Sequence, residues 1–84
     1  MPNTKSEQIV GIDHVPNVSG GAATIAHTRI PVWLLVQARQ LGASDDELLE
    51  DFPSLRQQDL ANAWTYYDAH KREIDQQIKE NENA

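Results

Sequence analysis

The side chains best equipped for recognition chemistry lie close together: Arg56, Gln57 and Gln58, with Asn62 one helical turn later. Arginine can form paired hydrogen bonds to the edge of guanine, and glutamine or asparagine to adenine. At the start of a helix this set is a candidate DNA-reading surface. The plainer alternative is the ordinary solvated first turn of a capped helix. A second set, Tyr67, Lys71, Arg72, Ile74 and Ile78, combines apolar side chains at helical spacing with two cations. Such a stripe suits a partner helix or groove, with Lys71 and Arg72 pairing acids at its rim. The histidines offer less. His14 follows Asp13, but His27 and His70 stand far from them, and a zinc site needs three or four converging ligands. No metal and no cofactor are expected. The chain also has no cysteine nucleophile, no glycine-rich phosphate loop and no carboxylate cluster in an evident cleft. The expectation is a protein that binds partners and is not an enzyme.

Bulk properties narrow the class further. Eighty-four residues make one domain at most, with a small core whose stability alone is marginal. Cysteine is absent, so no disulfide or thiolate site reinforces it. Helix packing and self-association are left to hold it together, and a homodimer or larger assembly is expected. Seven Lys/Arg stand against thirteen Asp/Glu, a formal net charge of −6. That balance opposes strong non-specific nucleic-acid binding, which depends on neutralising phosphates, and leaves room for a local basic patch. The longest apolar stretch, Ile30 to Val36, is too short to cross a bilayer, and the first residues lack a signal-peptide pattern. These features predict a cytoplasmic protein with no membrane contact.

The recognition sets must be positioned by helices, and the chain is punctuated accordingly. Residues 1–7 are polar and read as a flexible N-terminus. Ile9-Val10-Gly11-Ile12 suggests a short strand, and Pro16, Asn17, Ser19, Gly20 and Gly21 a turn region. Ala22 to Ala26 then reads as a second extended segment, giving an irregular hairpin that needs support from another element. Pro31 opens a first helix that Gly42 stops. Its inward stripe is read as Leu34, Leu35, Ala38 and Leu41. Trp33 and Val36 face another side, covered either by the hairpin or by a partner. Ser44 and Glu47 have the spacing of a capping box for a helix over Asp45 to Asp51, with Leu48 and Leu49 inward. Phe52-Pro53 breaks that helix. Ser54 and Gln57 have capping-box spacing for a third helix. Its stripe of Leu60, Trp64, Tyr67, Ile74 and Ile78 predicts one continuous helix to about Lys79. At 1.5 Å per residue that is on the order of 37 Å, longer than so small a core can cover. Ile74 and Ile78 are thus expected to lie beyond the compact unit, free to meet a partner.

Several of these strings together resemble a known family. Gly20-Gly21, Thr28-Arg29-Ile30-Pro31-Val32, Gly42, Glu47-Leu48-Leu49, Phe52-Pro53 and Leu55 are similar to domain-of-unknown-function family 433 (DUF433), grouped with VapB-like antitoxins. The similarity spans about Ile9 to Tyr67. Two positions depart from the family pattern. Ala22-Ala23 stands where it has lysine-proline, and His27 where it has the glycine before threonine-arginine. The resemblance implies a homeodomain-like helix-turn-helix core, and an antitoxin that binds a toxin of PIN-like nuclease fold. Thr28 is expected to bond backbone at the helix entrance, and Arg29 to bond carbonyls or an acid such as Asp51.

The fold expected is therefore mainly α: a three-helix, homeodomain-like bundle with a small N-terminal β-hairpin and an extended C-terminal helix. Residues 8–69 would form the hairpin and three-helix domain, and 70–84 the extension and frayed tail. The leading functional expectation is an antitoxin-like component that neutralises a PIN-like nuclease and represses its own operon by binding operator DNA. The alternative is a free-standing helix-turn-helix transcriptional regulator.

Overall fold

Gly11, at φ +80°, takes a backbone conformation that costs L side chains energy, and it turns the chain into β1 (Ile12–His14). The computed structural model describes residues 10–14 and 21–83. The N-terminal stretch 1–7, Ile9, the turn residues Pro16, Asn17, Ser19 and Gly20, and Ala84 lie outside the described residues. β1 pairs antiparallel with β2 (Ala23–Ile25), in the register Ile12↔Ile25, Asp13↔Thr24 and His14↔Ala23. The expected hairpin is present, although β1 starts at Ile12. Val10 stands outside the ladder with 83% of its surface exposed. All of β2 is buried, because its other edge meets Pro31 through a bridge to Thr24 and its residues pack into the core.

Thr28 fixes the route from the hairpin into the helices. Its hydroxyl donates to the Ile25 carbonyl at 2.8 Å and accepts from the Ile30 amide at 3.0 Å. This is the backbone-bonding role expected of it. Pro31 then caps α1 (Val32–Gln40), and Gly42, at φ +108°, ends that segment. The buried face of α1 is Val32, Leu35 and Val36. Val36 is therefore an inward residue, and Leu41, expected inside, is 81% exposed. The reason is that Leu41 already belongs to the C-cap, where the backbone has left the helical register. Trp33 is half-buried against the core.

α2 (Asp45–Asp51) has the expected capping box: the Ser44 hydroxyl accepts from the Glu47 amide, and the Glu47 carboxylate accepts from the Ser44 amide at 2.8 Å. Its first-turn acids sit where the helix dipole favours negative charge. Leu48 is buried and Leu49 half-buried. α3 (Gln57–Ala69) opens differently from the expectation. The Asp59 carboxylate accepts from the Arg56 amide at 2.9 Å, and Ser54 lies ahead of the cap. An arginine side chain has no acceptor to return the bond, so only half of a box forms.

The largest difference from the sequence reading comes at His70. Its backbone, at φ −134° and ψ 43°, closes α3, and α4 (Lys71–Glu82) starts afresh and packs against α1. The described residues thus form four helices. Ile74 and Ile78 are buried, at 0% and 6% exposure, within the cluster that holds Ile25, Leu35, Leu48 and Leu60. They do not lie beyond the compact unit: α4 packs one face onto the core through these two isoleucines, while most of its other residues are exposed. Burying each isoleucine contributes roughly 1.5–3 kcal/mol. That outweighs the few helical bonds opened at His70, each worth about 0.5–1.5 kcal/mol net. The face that α3 presents inward also differs from the expected stripe. Leu60, Ala63 and Tyr66 are buried, whereas Trp64 and Tyr67, the expected seam residues, are half-buried beside them.

Candidate functional site

Displacing Trp64 and Tyr67 from the seam leaves them on the wall of a groove. Val36 of α1 joins them as floor, and Arg39, Gln40 and Asp68 form the rim of a concavity of about 500 Å³. The guanidinium of Arg39 lies 4.8 Å from the centre of the Trp64 ring and pairs with Asp45 at 2.6 Å. Both members of that pair are about half exposed, so its contribution to stability is small. The Trp64 indole nitrogen is buried without a hydrogen-bond partner among the described residues, which is uncommon for a buried donor. The Tyr67 hydroxyl donates to Asp75 at 2.8 Å, and the Gln40 amide reaches the same oxygen at 3.5 Å. The bond to Asp75 and partial burial raise the Tyr67 pKa above its ordinary value. Lys71 lies 6.0 Å from the Tyr67 ring centre. The groove is apolar at its floor and carries both signs of charge at its rim, which suits protein contact better than chemistry.

A second cluster surrounds Tyr66 on the other side of α3. Its hydroxyl donates to the Glu73 carboxylate, 2.8 Å from one oxygen and 3.1 Å from the other, and lies 3.2 Å from His14 Nε2. With its one proton committed to Glu73, the hydroxyl oxygen can only accept from His14, which requires a proton on Nε2. The His70 ring stacks on Tyr66 with centroids 4.2 Å apart, and its Nδ1 is 3.5 Å from Glu73. Burial and the neighbouring carboxylate push the Tyr66 pKa well up. This is the opposite of an activated acid or base. The cluster clamps β1, α3 and α4 together. Two of the histidines considered for metal binding, His14 and His70, meet here across a tyrosine. Among the described residues no group of three or more His, Cys, Asp or Glu is placed to hold a metal ion.

The candidate DNA-reading residues separate into two kinds. Arg56, Gln57 and Gln58 are exposed at the start of α3. Asn62 is half-buried, and its side-chain oxygen accepts from the Gln58 amide at 3.0 Å. A Cβ at Gly11 would collide with the Asn62 amide, so this side chain packs closely on the hairpin backbone. Asn62 is thus held by Gln58 and against the hairpin, which the spacing to Arg56 could not indicate. Of the candidate partner-binding residues, Tyr67 lines the groove, while Lys71 and Arg72 are exposed and are not part of its lining. Ile74 is sequestered in the core. Ile78 is also buried, touching only the floor of an adjoining concavity. Their burial removes the free apolar stripe from which partner binding was inferred. Trp64 and Arg39 were not singled out as binding residues. The usable signal was the tryptophan itself, a residue enriched at interface centres.

The family model for DUF433, described as a protein of unknown function, matches residues 12–67. The chain belongs to the DUF433 family. A crystal structure of a DUF433 member protein from Anabaena variabilis at 2.00 Å resolution is similar to it, with 47% sequence identity and a TM-score of 0.81. The similarity covers 89% of this chain and 73% of that one. No curated protein matches. Within this DUF433 chain one departure from the family pattern has a structural meaning. His27, at φ 67°, occupies the left-handed region, in which a glycine carries no Cβ penalty. A histidine there costs about 1–2 kcal/mol. Ala22 and Ala23, in place of lysine-proline, are half-buried and buried at the start of β2. Arg29 is exposed and forms no ion pair with Asp51. No helix among the described residues of this DUF433 protein is long and apolar enough to cross a membrane.

Proposed function

We propose that this DUF433 protein is an antitoxin-like binding protein that captures and neutralises a partner nuclease of PIN-like fold. The observation carrying this reading is the α1/α3 groove, in which Trp64, Tyr67 and Arg39 stand together. These are the residue types that dominate interface energetics when they sit in a pocket protected from water. The test mixes the purified chain with a PIN-like protein encoded beside its gene and follows ribonuclease activity. Stoichiometric inhibition is expected, lost in a Trp64→Ser variant whose circular dichroism is unchanged. Absence of a complex at micromolar concentrations, with nuclease activity untouched, would exclude the reading.

A second reading is favoured by one specific observation, the exposed Arg56, Gln57 and Gln58 at the start of α3. With α2 and the intervening turn they have the proportions of a homeodomain-like helix-turn-helix. In this reading the protein represses its own operon, alone or with its partner. Five acids on α2 lie next in sequence to that surface and weaken its attraction for phosphates. Electrophoretic mobility shift on the protein's own promoter at low salt is the check. An Arg56→Ala variant would lose about 1–3 kcal/mol if Arg56 reads a base.

A further inference from the structure

We propose that the α1/α3 groove is also the surface through which two copies of this chain associate, face to face about a two-fold axis. Three observations lead there. First, the groove is self-complementary. Arg39 rises from the α1 wall and Asp68 from the α3 wall, with Val36, Trp64 and Tyr67 between them. A two-fold contact uses the same patch twice. With the axis running along the groove it brings Arg39 of one copy to Asp68 of the other, and does so at two symmetric places, while the aromatic side chains cover each other. Second, the same trough continues past Tyr67 and Gln40 onto α4. It reaches Ile78 and is rimmed there by Asp75, Lys79 and Glu82, again in both signs. A standard interface covers about 800 Å² on each partner, so the contact extends beyond the trough onto the surrounding faces of α1, α3 and α4.

Third, overall charge leaves few faces on which copies can meet. At net −6 most surfaces repel one another. Arg39 and Lys79, two of the seven cationic side chains, line this trough with Asp68, Asp75 and Glu82, so it is closer to neutral than the chain as a whole. The present pairing of Arg39 with Asp45 does not stand in the way. The pair is half exposed, and a guanidinium has five donors, so a second carboxylate can be accepted without losing the first. Self-association of this kind closes the groove in the free protein, so that partner capture starts from the monomer. That last step rests on the nuclease-binding reading, whereas self-association itself does not.

The experiment uses the full chain with no partner present. Sedimentation equilibrium from micromolar to millimolar concentration is expected to show a dimer for the wild type. Arg39→Glu and Asp68→Arg each place like charges together at two sites and should raise the dissociation constant at least tenfold. Mixing the two single variants in equal amounts restores opposite charges at both contacts, so a heterodimer should reappear. A wild type that stays monomeric throughout overturns the proposal. So does a pair of folded single variants that dimerise like the wild type, or whose mixture remains monomeric. If Arg39→Glu disturbs the fold by meeting Asp45, the Asp68→Arg variant and the double variant decide. The first should be monomeric and the second, with both signs exchanged, dimeric, and failure of either result rejects the interface.

Discussion

Two faces of the α3–α4 segment carry apolar side chains, and they end in opposite environments. Leu60, Tyr66, Ile74 and Ile78 are enclosed by the chain itself, whereas Trp64 and Tyr67, a residue or a few away, border an open groove with Val36. Composition does not separate the two sets, since each combines aromatic and aliphatic residues. The side of α3 on which a residue lies does, together with the break at His70. Rotation of the chain there carries α4 onto α1 and closes the first face. The second face receives no such cover. The difference between an enclosed and an open apolar residue is set here by helix face and by one backbone conformation rather than by hydrophobicity.

Substitutions on the two faces should therefore separate stability from recognition. The largest effect belongs to Ile74→Ala, which removes three carbons from a fully enclosed site. We expect a loss of about 2–5 kcal/mol, measurable as a lowered urea midpoint. A near-silent result would mean that α4 does not close the core in solution. Next comes Tyr66→Phe. It deletes the hydroxyl bonded to Glu73, whose side chain is 37% exposed, and should cost about 1.5 kcal/mol, the low end for bonds to charged groups. It should also change the response to alkali. Tyrosine ordinarily titrates near about pH 10, and Tyr66 is held above that in the folded state. Above pH 10 the unfolded chain releases its phenolic proton before the folded chain does, so stability falls as pH rises. Urea titrations from pH 8 to pH 11 should show this decline in the wild type and a shallower one in Tyr66→Phe. The smallest effect is expected for Tyr67→Phe on the open face. Its hydroxyl bonds are at the surface, and the change should stay within about 0.5 kcal/mol. A large loss of melting temperature there would place Tyr67 with the core and dissolve the distinction between the faces.

Much of the fold was legible because its signals are local. The Ser44–Glu47 box, the Pro31 entrance, the Phe52-Pro53 break and the glycine stop at Gly42 each act within one turn of the residues that encode them. The Thr28 bonds are local in the same sense. The break at His70 is not. Ala69, His70 and Lys71 are all compatible with a helix, and no proline or glycine marks the position. A regular stripe runs through it. The conformation is imposed by distant residues on α1, which reward α4 for turning inward. One clue was present in the excessive length of a single straight helix. Its resolution is a bend rather than a protruding rod. The candidate groove was hidden as well, because the stripe places Tyr67 inward where α3 buries Tyr66. Adjacent Tyr66 and Tyr67 are indistinguishable by type. The family match stops at residue 67, whereas the similar DUF433 crystal structure covers 89% of this chain and so reaches beyond that point.

The closure of the core by α4 has a consequence for the order of events during synthesis. Leu35 and Val36 on α1 emerge early, yet α4, which packs against their helix, is the last described element to be made. Domains generally fold as units while translation delivers about 5–20 residues per second. For several seconds the nascent chain must hold a finished hairpin and α1 with apolar side chains still uncovered. That interval is a window for capture by a chaperone or a protease, and it closes only when residues 71–82 have left the ribosome.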